Sequence, residues 1–263
     1  MSTRGPKPKV FLTYSTGFYN TDRNLVNGPP PDHFVFKVIE FFDQKYPGAK
    51  CGLDYKTHFQ LLVATILSAQ CTDKRVNLVT PGFFSLFPTP EKLAVASLKE
   101  VEEAIKSCGL FRSKAKNLKK TAQMLVSKYS GRVPGDVTLL RTFPGVGRKT
   151  ANVIMGDAFG VPSLTIDTHM ARITQRLGLT SKPNVVAIEK DLMFLVPQFR
   201  WTLFSHQMIA HGRALCLARH PYCHVCALIE CPSRTQDYQE SEPVPDLEFN
   251  FDSNSDPDTN IVT

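Results

Sequence analysis

The chain holds 263 residues, with 31 Lys+Arg against 24 Asp+Glu for a formal net charge of +7. At 42% hydrophobic and 21% charged it has an ordinary globular composition, which excludes a collagen, a coiled coil and wholesale disorder. The longest apolar stretch, near Phe59 to Leu67, contains Gln60 and Thr65 and falls far short of the roughly 18–20 residues of a membrane span, so no membrane partner is expected.

Residues 1–31 are rich in Gly and Pro and end in Gly28-Pro29-Pro30-Pro31, which predicts a loose arm. Arg4, Lys7 and Lys9 are not followed by an apolar run, so no secretory leader is expected and the protein is taken as intracellular. From Phe34 the spacing turns helical: Phe34, Val38, Phe41 and Phe42 share a face that Pro47-Gly48 ends. A second helix starts at a Thr57-His58-Phe59-Gln60 capping box, and Phe59, Leu62, Val63, Ile66 and Leu67 recur at helical intervals. Further helices are predicted over 90–107, 113–129, 136–142, 148–159, 167–178, 185–196 and 201–216, separated by short Gly/Pro turns. No alternating run is long enough for a strand, so the class is all-α. The acidic residues of 235–263 (eight, with no Lys or Arg) predict a disordered tail. Without that tail the body has 31 basic and 16 acidic residues, a net of +15 that favours a polyanionic partner.

Residues 140–155 carry the first specific signal. A short helix runs into Pro144-Gly145-Val146-Gly147, and a second helix begins at Arg148-Lys149-Thr150. Two glycines in so short a turn let the backbone bend tightly and approach another molecule. The free N–H groups of the turn, at the positive end of the helix, suit a phosphate oxygen. Gly145, Val146, Gly147 and Arg148 are therefore candidates for a sequence-blind grip on a DNA backbone; the alternative is a plain helix–helix turn. Lys149, just inside the helix start, is electrostatically misplaced, because the dipole there disfavours a cation. The same environment favours a free, nucleophilic amine. A phosphate contact is the alternative role. Asp167, in Thr165-Ile166-Asp167-Thr168-His169, fits a helix N-cap. If it faced Lys149 it could also take the proton of the amine or stabilise positive charge developing on a sugar.

Cys216, Cys223, Cys226 and Cys231 fall within 16 positions, with intervals of six, two and four residues. An intracellular chain seldom uses disulfides, so the cluster reads as a metal site, with zinc and an iron–sulfur cluster both open. Arg219 and His220, inside the cluster, are candidates for phosphate contact. Cys51, Cys71 and Cys108 read as small core residues.

Four motifs then occur in one order: Leu67-Ser68-Ala69-Gln70-Cys71-Thr72-Asp73, Phe143 to Asn152, Ile166-Asp167-Thr168-His169, and the late cysteines. In this the chain resembles the endonuclease III family over about residues 33–232. The resemblance implies a bifunctional helix-hairpin-helix DNA glycosylase and AP lyase that removes oxidised or ring-saturated pyrimidines. It places the Schiff-base lysine at Lys149 and the essential aspartate at Asp167. Gln70 matches a glutamine that fills the gap left by an extruded nucleotide, Leu110 a leucine that wedges into the duplex, and His169 is assigned to DNA contact within its motif. The four late cysteines then ligate a [4Fe–4S] cluster, though the last interval is one residue shorter than is usual in the family. The partner implied is double-stranded DNA with a damaged base or abasic site, met by a monomer. Two helical domains are expected, 51–161 with the hairpin and 32–50 plus 162–233 with the cluster. A non-catalytic iron–sulfur DNA-binding protein and a monofunctional glycosylase are the alternatives.

Overall fold

The computed structural model describes residues 30–235. The expectations for the N-terminal arm and for the acidic tail beyond 235 lie outside these residues. The described residues are helical throughout, with no strand.

Helix α1 (Asp32–Lys45) buries Phe34, Val35, Val38 and Phe42 on one face. Helix α2 (His58–Leu67) is buried along almost its whole length and is the axle of the first core. Its N-cap is Thr57, whose side chain accepts from the Gln60 amide. The predicted box closes differently from the motif: the Gln60 carboxamide oxygen accepts from the Lys56 N–H at 2.7 Å, one residue further back than Thr57.

Helix α3 (Asp73–Leu86) is not announced by the sequence pattern, because Pro81-Gly82 punctuates it. It forms because Thr72 caps it and Val76, Thr80 and Phe83 line one buried stripe. The predicted single helix over 90–107 is two helices, α4 (Pro90–Val95) and α5 (Leu98–Ala104). Ala96 leaves helical geometry, and Ser97 with Glu100 starts a fresh capping box. Lys119 holds the break by donating to the Ala94 carbonyl at 3.1 Å and to the Ala96 carbonyl. Lys119 belongs to α6 (Phe111–Tyr129), the longest helix, which packs on α4 and α5. The short α7 (Val137–Leu140) and α8 (Arg148–Phe159) follow, joined by the predicted hairpin turn. Then come α9 (Thr168–Arg176), α10 (Val185–Leu195) and α11 (Trp201–Ala214).

Burial divides these helices between two hydrophobic cores. The first gathers apolar side chains from Leu53 to Met155. The second gathers Phe34 to Ala49 with Leu164 to Leu228, so the chain begins in it, leaves, and returns. Within the second core the Tyr46 hydroxyl meets His211 Nδ1 at 2.9 Å. Burial depresses His211 to about 3, so this ring is neutral.

Polar contacts join the two cores. Arg213 on α11 reaches Asp73 on α3 at 2.9 Å, and His206 Nε2 reaches Asp157 at 2.8 Å. The Thr202 side chain of α11 also packs on the α8 backbone at Gly156, where an added Cβ would lie 2.8 Å from Thr202 Oγ1.

Candidate active site at the junction of the two cores

The hairpin is built from both ends. Asp136 caps α7 by accepting from the Leu139 amide at 2.8 Å. Phe143 and Val146 then turn inward and anchor the turn in the first core. Gly145 has φ of +81°, a conformation that disfavours any side chain, and a Cβ there would fall 2.9 Å from Asn117 Nδ2. Gly147 is different: a Cβ would meet nothing within 4 Å. The protein does not need a glycine there for its own packing, and the bare backbone is open to a molecule from outside. Gly147 is also the N-cap of α8 and gives no side-chain cap. The first-turn N–H groups of α8 thus point into an open, positively polarised end.

Lys149 stands in that first turn. Ala151, Ile154 and Met155 take the buried face of α8, which leaves Lys149 on the open side with its side chain 57% exposed. Asp167 approaches from the second core as the N-cap of α9. One carboxylate oxygen, Oδ1, accepts from the Met170 amide at 2.8 Å. The other, Oδ2, lies 3.7 Å from Lys149 Nζ. The side chain of Asp167 is 10% exposed, so a well-shielded carboxylate faces an accessible amine. Capping and facing the lysine, which the sequence presents as competing roles, are both filled, one by each oxygen.

Glu189 braces the site from α10. Its buried carboxylate takes Arg148 Nε at 2.6 Å and Asn152 Nδ2 at 3.3 Å. Asn152 also donates to the Leu164 carbonyl at 2.7 Å. Arg148 is held in its charged form chiefly by its hydrogen bond to Glu189. The first turn of α8 is thereby tied to α10 and to the strap leading to Asp167.

Two exposed loops lie against each other near the end of α2. Ile66 of α2 touches the Gly145 turn, and the Gln70 loop begins one helical turn later. Gln70 has φ of +52° and Leu110 φ of +57°, left-handed values that cost a non-glycine residue of order 1–3 kcal/mol each. A Cβ on Gly109 would lie 3.2 Å from the Gln70 carbonyl oxygen. Leu110 is 59% exposed, so an apolar side chain is held out on a strained backbone instead of being packed.

Residues 63–198 match the model of the HhH-GPD superfamily base excision DNA repair protein. Endonuclease III of Synechocystis is 50% identical over 199 residues, covering 75% of this chain and 91% of the relative. Endonuclease III of Escherichia coli is 39% identical over 192 residues, covering 73% and 91%. A solved structure of a trapped endonuclease III–DNA covalent intermediate superposes with a TM-score of 0.74 at 41% identity, covering 78% of this chain and 97% of that one. The chain belongs to the endonuclease III family, within the HhH-GPD superfamily. The all-helical fold expected for that family is present among the described residues.

Two residues expected to contact DNA are placed differently. His169 is buried, with Nδ1 3.1 Å from Arg172 Nη2 and its ring against Gly212. Its place on the α9 face that also carries Met170 and Ile173 turns it into the second core. Val146 is buried as well, and its N–H is spent on the Phe143 carbonyl at 3.1 Å. It shapes the hairpin from inside.

Arg219 is exposed, and the neighbouring His220 has a left-handed φ of +50°. The four late cysteines are all partly buried, and Cys216, Cys226 and Cys231 pack against the second core. Burial pushes the Cys231 thiol up to about 11 and raises Cys226, so binding a metal group must displace their protons. Arg176 Nη1 lies 3.2 Å from Cys216 Sγ, and Arg172 Nη2 donates to the Cys216 carbonyl at 2.8 Å. Arg234 Nη1 donates to the Cys226 carbonyl at 2.9 Å. Four sulfur donors beside guanidinium groups suit an anionic metal–sulfur group. Among the described residues no three or more His, Cys, Asp or Glu side chains are grouped as a metal site.

Sequence reading missed Glu189, Arg172 and Arg176. Arg172 and Arg176 stand four apart on α9, a spacing that puts both on one face and was available in the sequence. Glu189 carries no such signal, because its partner Arg148 is 41 residues away.

Proposed function

We propose that this chain cuts DNA at damaged pyrimidines by a covalent mechanism in which Lys149 is the nucleophile. The observation that carries the reading is the accessible Lys149 amine 3.7 Å from the shielded Asp167 carboxylate, at the open end of the hairpin helix. The uncapped N–H groups of α8 and the bare Gly147 backbone receive the phosphates, and Arg219 adds a charge contact. Flipping the damaged nucleotide costs a few kcal/mol, which Gln70 and Leu110 offset by filling the vacated stack. Asp167 stabilises the positive charge that grows on the sugar as the base departs. Lys149 attacks C1′ as the C1′–N bond to the base breaks and the base leaves with a proton. The C1′–O4′ bond of the adduct then opens, O4′ becomes the 4′-hydroxyl, and the C1′–lysine bond becomes an imine. The imine makes the C2′ proton acidic, and its removal expels the 3′ phosphate by β-elimination.

The two cores act as two domains in this reading, 51–161 and 32–50 plus 162–233, with the site at their junction. Cys216, Cys223, Cys226 and Cys231 are assigned as the four ligands of a [4Fe–4S] cluster. When bound, such a group cross-links the loop that carries Arg219. Iron and sulfide content, with absorption near about 400 nm, checks this assignment; zinc without colour overturns it.

Incision of duplexes carrying single oxidised pyrimidines, oxidised purines or an abasic site tests the activity. Nicking at oxidised pyrimidines and abasic sites is expected. Base release without nicking contradicts the role of Lys149.

A further inference from the structure

Lys149 and Asp167 sit on the two arms of one bend in the chain. The polypeptide runs down α8, turns at Gly160, which has φ of +64°, and comes back as a non-helical strap to Asp167. Two hydrogen bonds hold the strap to α11. The Ser163 N–H donates to Thr202 Oγ1 at 3.2 Å, and the Thr165 N–H donates to Ser205 Oγ at 3.0 Å. The Asn152 side chain pins the strap to α8, its Nδ2 donating to the carbonyl of the buried Leu164 at 2.7 Å.

The register of this pin matches that of the site. Asn152 stands three residues after Lys149, and Leu164 three residues before Asp167. Three residues of helix rise about 4.5 Å, while three residues of extended chain span up to about 10 Å. Beyond the pin the strap can thus outrun the helix by about 5 Å toward the start of α8. A lysine side chain leaning toward its helix N-terminus makes up that length. The result is the 3.7 Å between Lys149 Nζ and Asp167 Oδ2. A slip of one residue in the strap would carry the carboxylate about 3.3 Å away, out of reach of the amine.

Asn152 is itself held. Its second N–H points at Glu189 Oε1 at 3.3 Å, and the other oxygen of that carboxylate takes Arg148 Nε at 2.6 Å. Two acceptors on one nitrogen fix which way the carboxamide faces. Asn is a weak helix former, so helix formation does not account for it on the half-buried flank of α8.

We propose that Asn152 is a positioning residue of the lyase reaction, which sets the separation of the Lys149 amine and the Asp167 carboxylate by pinning the strap to α8. No atom of Asn152 enters the reaction. The proposal rests on the roles given above to Lys149 and Asp167. Both groups must meet the same sugar at once, and a misplacement of about 1 Å costs on the order of 10²-fold in rate.

The test compares the full chain, purified with its metal group, with Asn152→Ala and with Asn152→Leu, which keeps a branched side chain but has no donor. Single-turnover nicking of an abasic duplex under saturating protein gives a rate constant, and anisotropy with an abasic-analogue duplex gives Kd. The rate constant should fall about 10- to 100-fold while Kd stays within about twofold. Partial unfolding lowers the amplitude of a single turnover but not its rate constant, which separates positioning from a structural role. Either variant suffices should the other fail to fold. In an Asp167→Asn background, Asn152→Ala should slow nicking by less than a further twofold or so, because the pin then has no carboxylate to place. Wild-type rates in the variants, losses that multiply in full in the double variant, or a Kd weakened as much as the rate would each overturn the proposal. So would failure of both variants to fold. The base-excision reading survives all of these, provided the wild type nicks the duplex and forms a borohydride-trapped adduct on Lys149. A wild type that does neither refutes that reading, and the proposal with it.

Discussion

Helix α6 opens Phe111-Arg112-Ser113-Lys114 and helix α8 opens Arg148-Lys149-Thr150, each with basic residues in its first turn and without a side-chain cap. Both lysines stand where the helix dipole disfavours a cation. Their surroundings are opposite. Lys149 lies two residues before the buried Ala151, on the far side of its helix, and is 57% exposed toward Asp167. Lys114 falls in line with Ala115, Leu118, Ala122 and Leu125 on the buried face of α6 and is 3% exposed, with no hydrogen-bond partner. Register against the apolar stripe, not position in the helix, separates an amine offered to a substrate from one sealed in the protein.

Substitutions at these starts should separate the two cases. Lys149→Ala removes the proposed nucleophile and should lower nicking of an abasic duplex by on the order of 10³-fold or more with little change in thermal stability. Asp167→Asn keeps a good cap and removes the charge. It should lower nicking by about 10²-fold while the melting temperature stays within about 2 °C, since the cap survives. A large fall in melting temperature would show that the carboxylate serves the fold first. Lys114→Met should do the reverse of Lys149→Ala, raising stability by about 1 kcal/mol in urea unfolding because an unpaired buried amine is removed. Its pH signature has a definite sign. Burial lowers the Lys114 amine, so between that lowered value and the ordinary 10.5 the unfolded chain holds a proton that the folded chain has released. Wild-type stability should therefore rise with pH up to that value relative to Lys114→Met. The smallest expected effect is that of Glu189→Gln, which weakens the brace on the half-exposed Arg148 by about 0.5–1 kcal/mol.

The contrast also marks how far the sequence could be read. Pro144-Gly145-Val146-Gly147 states its turn locally, and the apolar stripe of α8 fixes which side Lys149 takes, so hairpin and amine were both legible. The approach of Asp167 was not, because it depends on how two cores formed by interleaved segments pack. The burial of His169 and Val146 is not legible in the sequence, because a motif gives proximity to a site but not the direction of each side chain. Helix α3 was hidden by Pro81, and the break at Ala96 by a continuous polar stretch whose local signal was the Ser97–Glu100 box. Nothing in the sequence pattern alone sets Lys114 apart from the other cations of a basic chain. Only the register of α6 against its partners puts it inside.

The central claim is that the Lys149 amine forms the bond to the sugar. Borohydride reduction of the chain mixed with abasic duplex, followed by proteolysis and mass mapping, tests it directly. The account predicts one adduct, on Lys149, that Lys149→Ala abolishes. An adduct mapped to another lysine, or one that persists in Lys149→Ala, would contradict it.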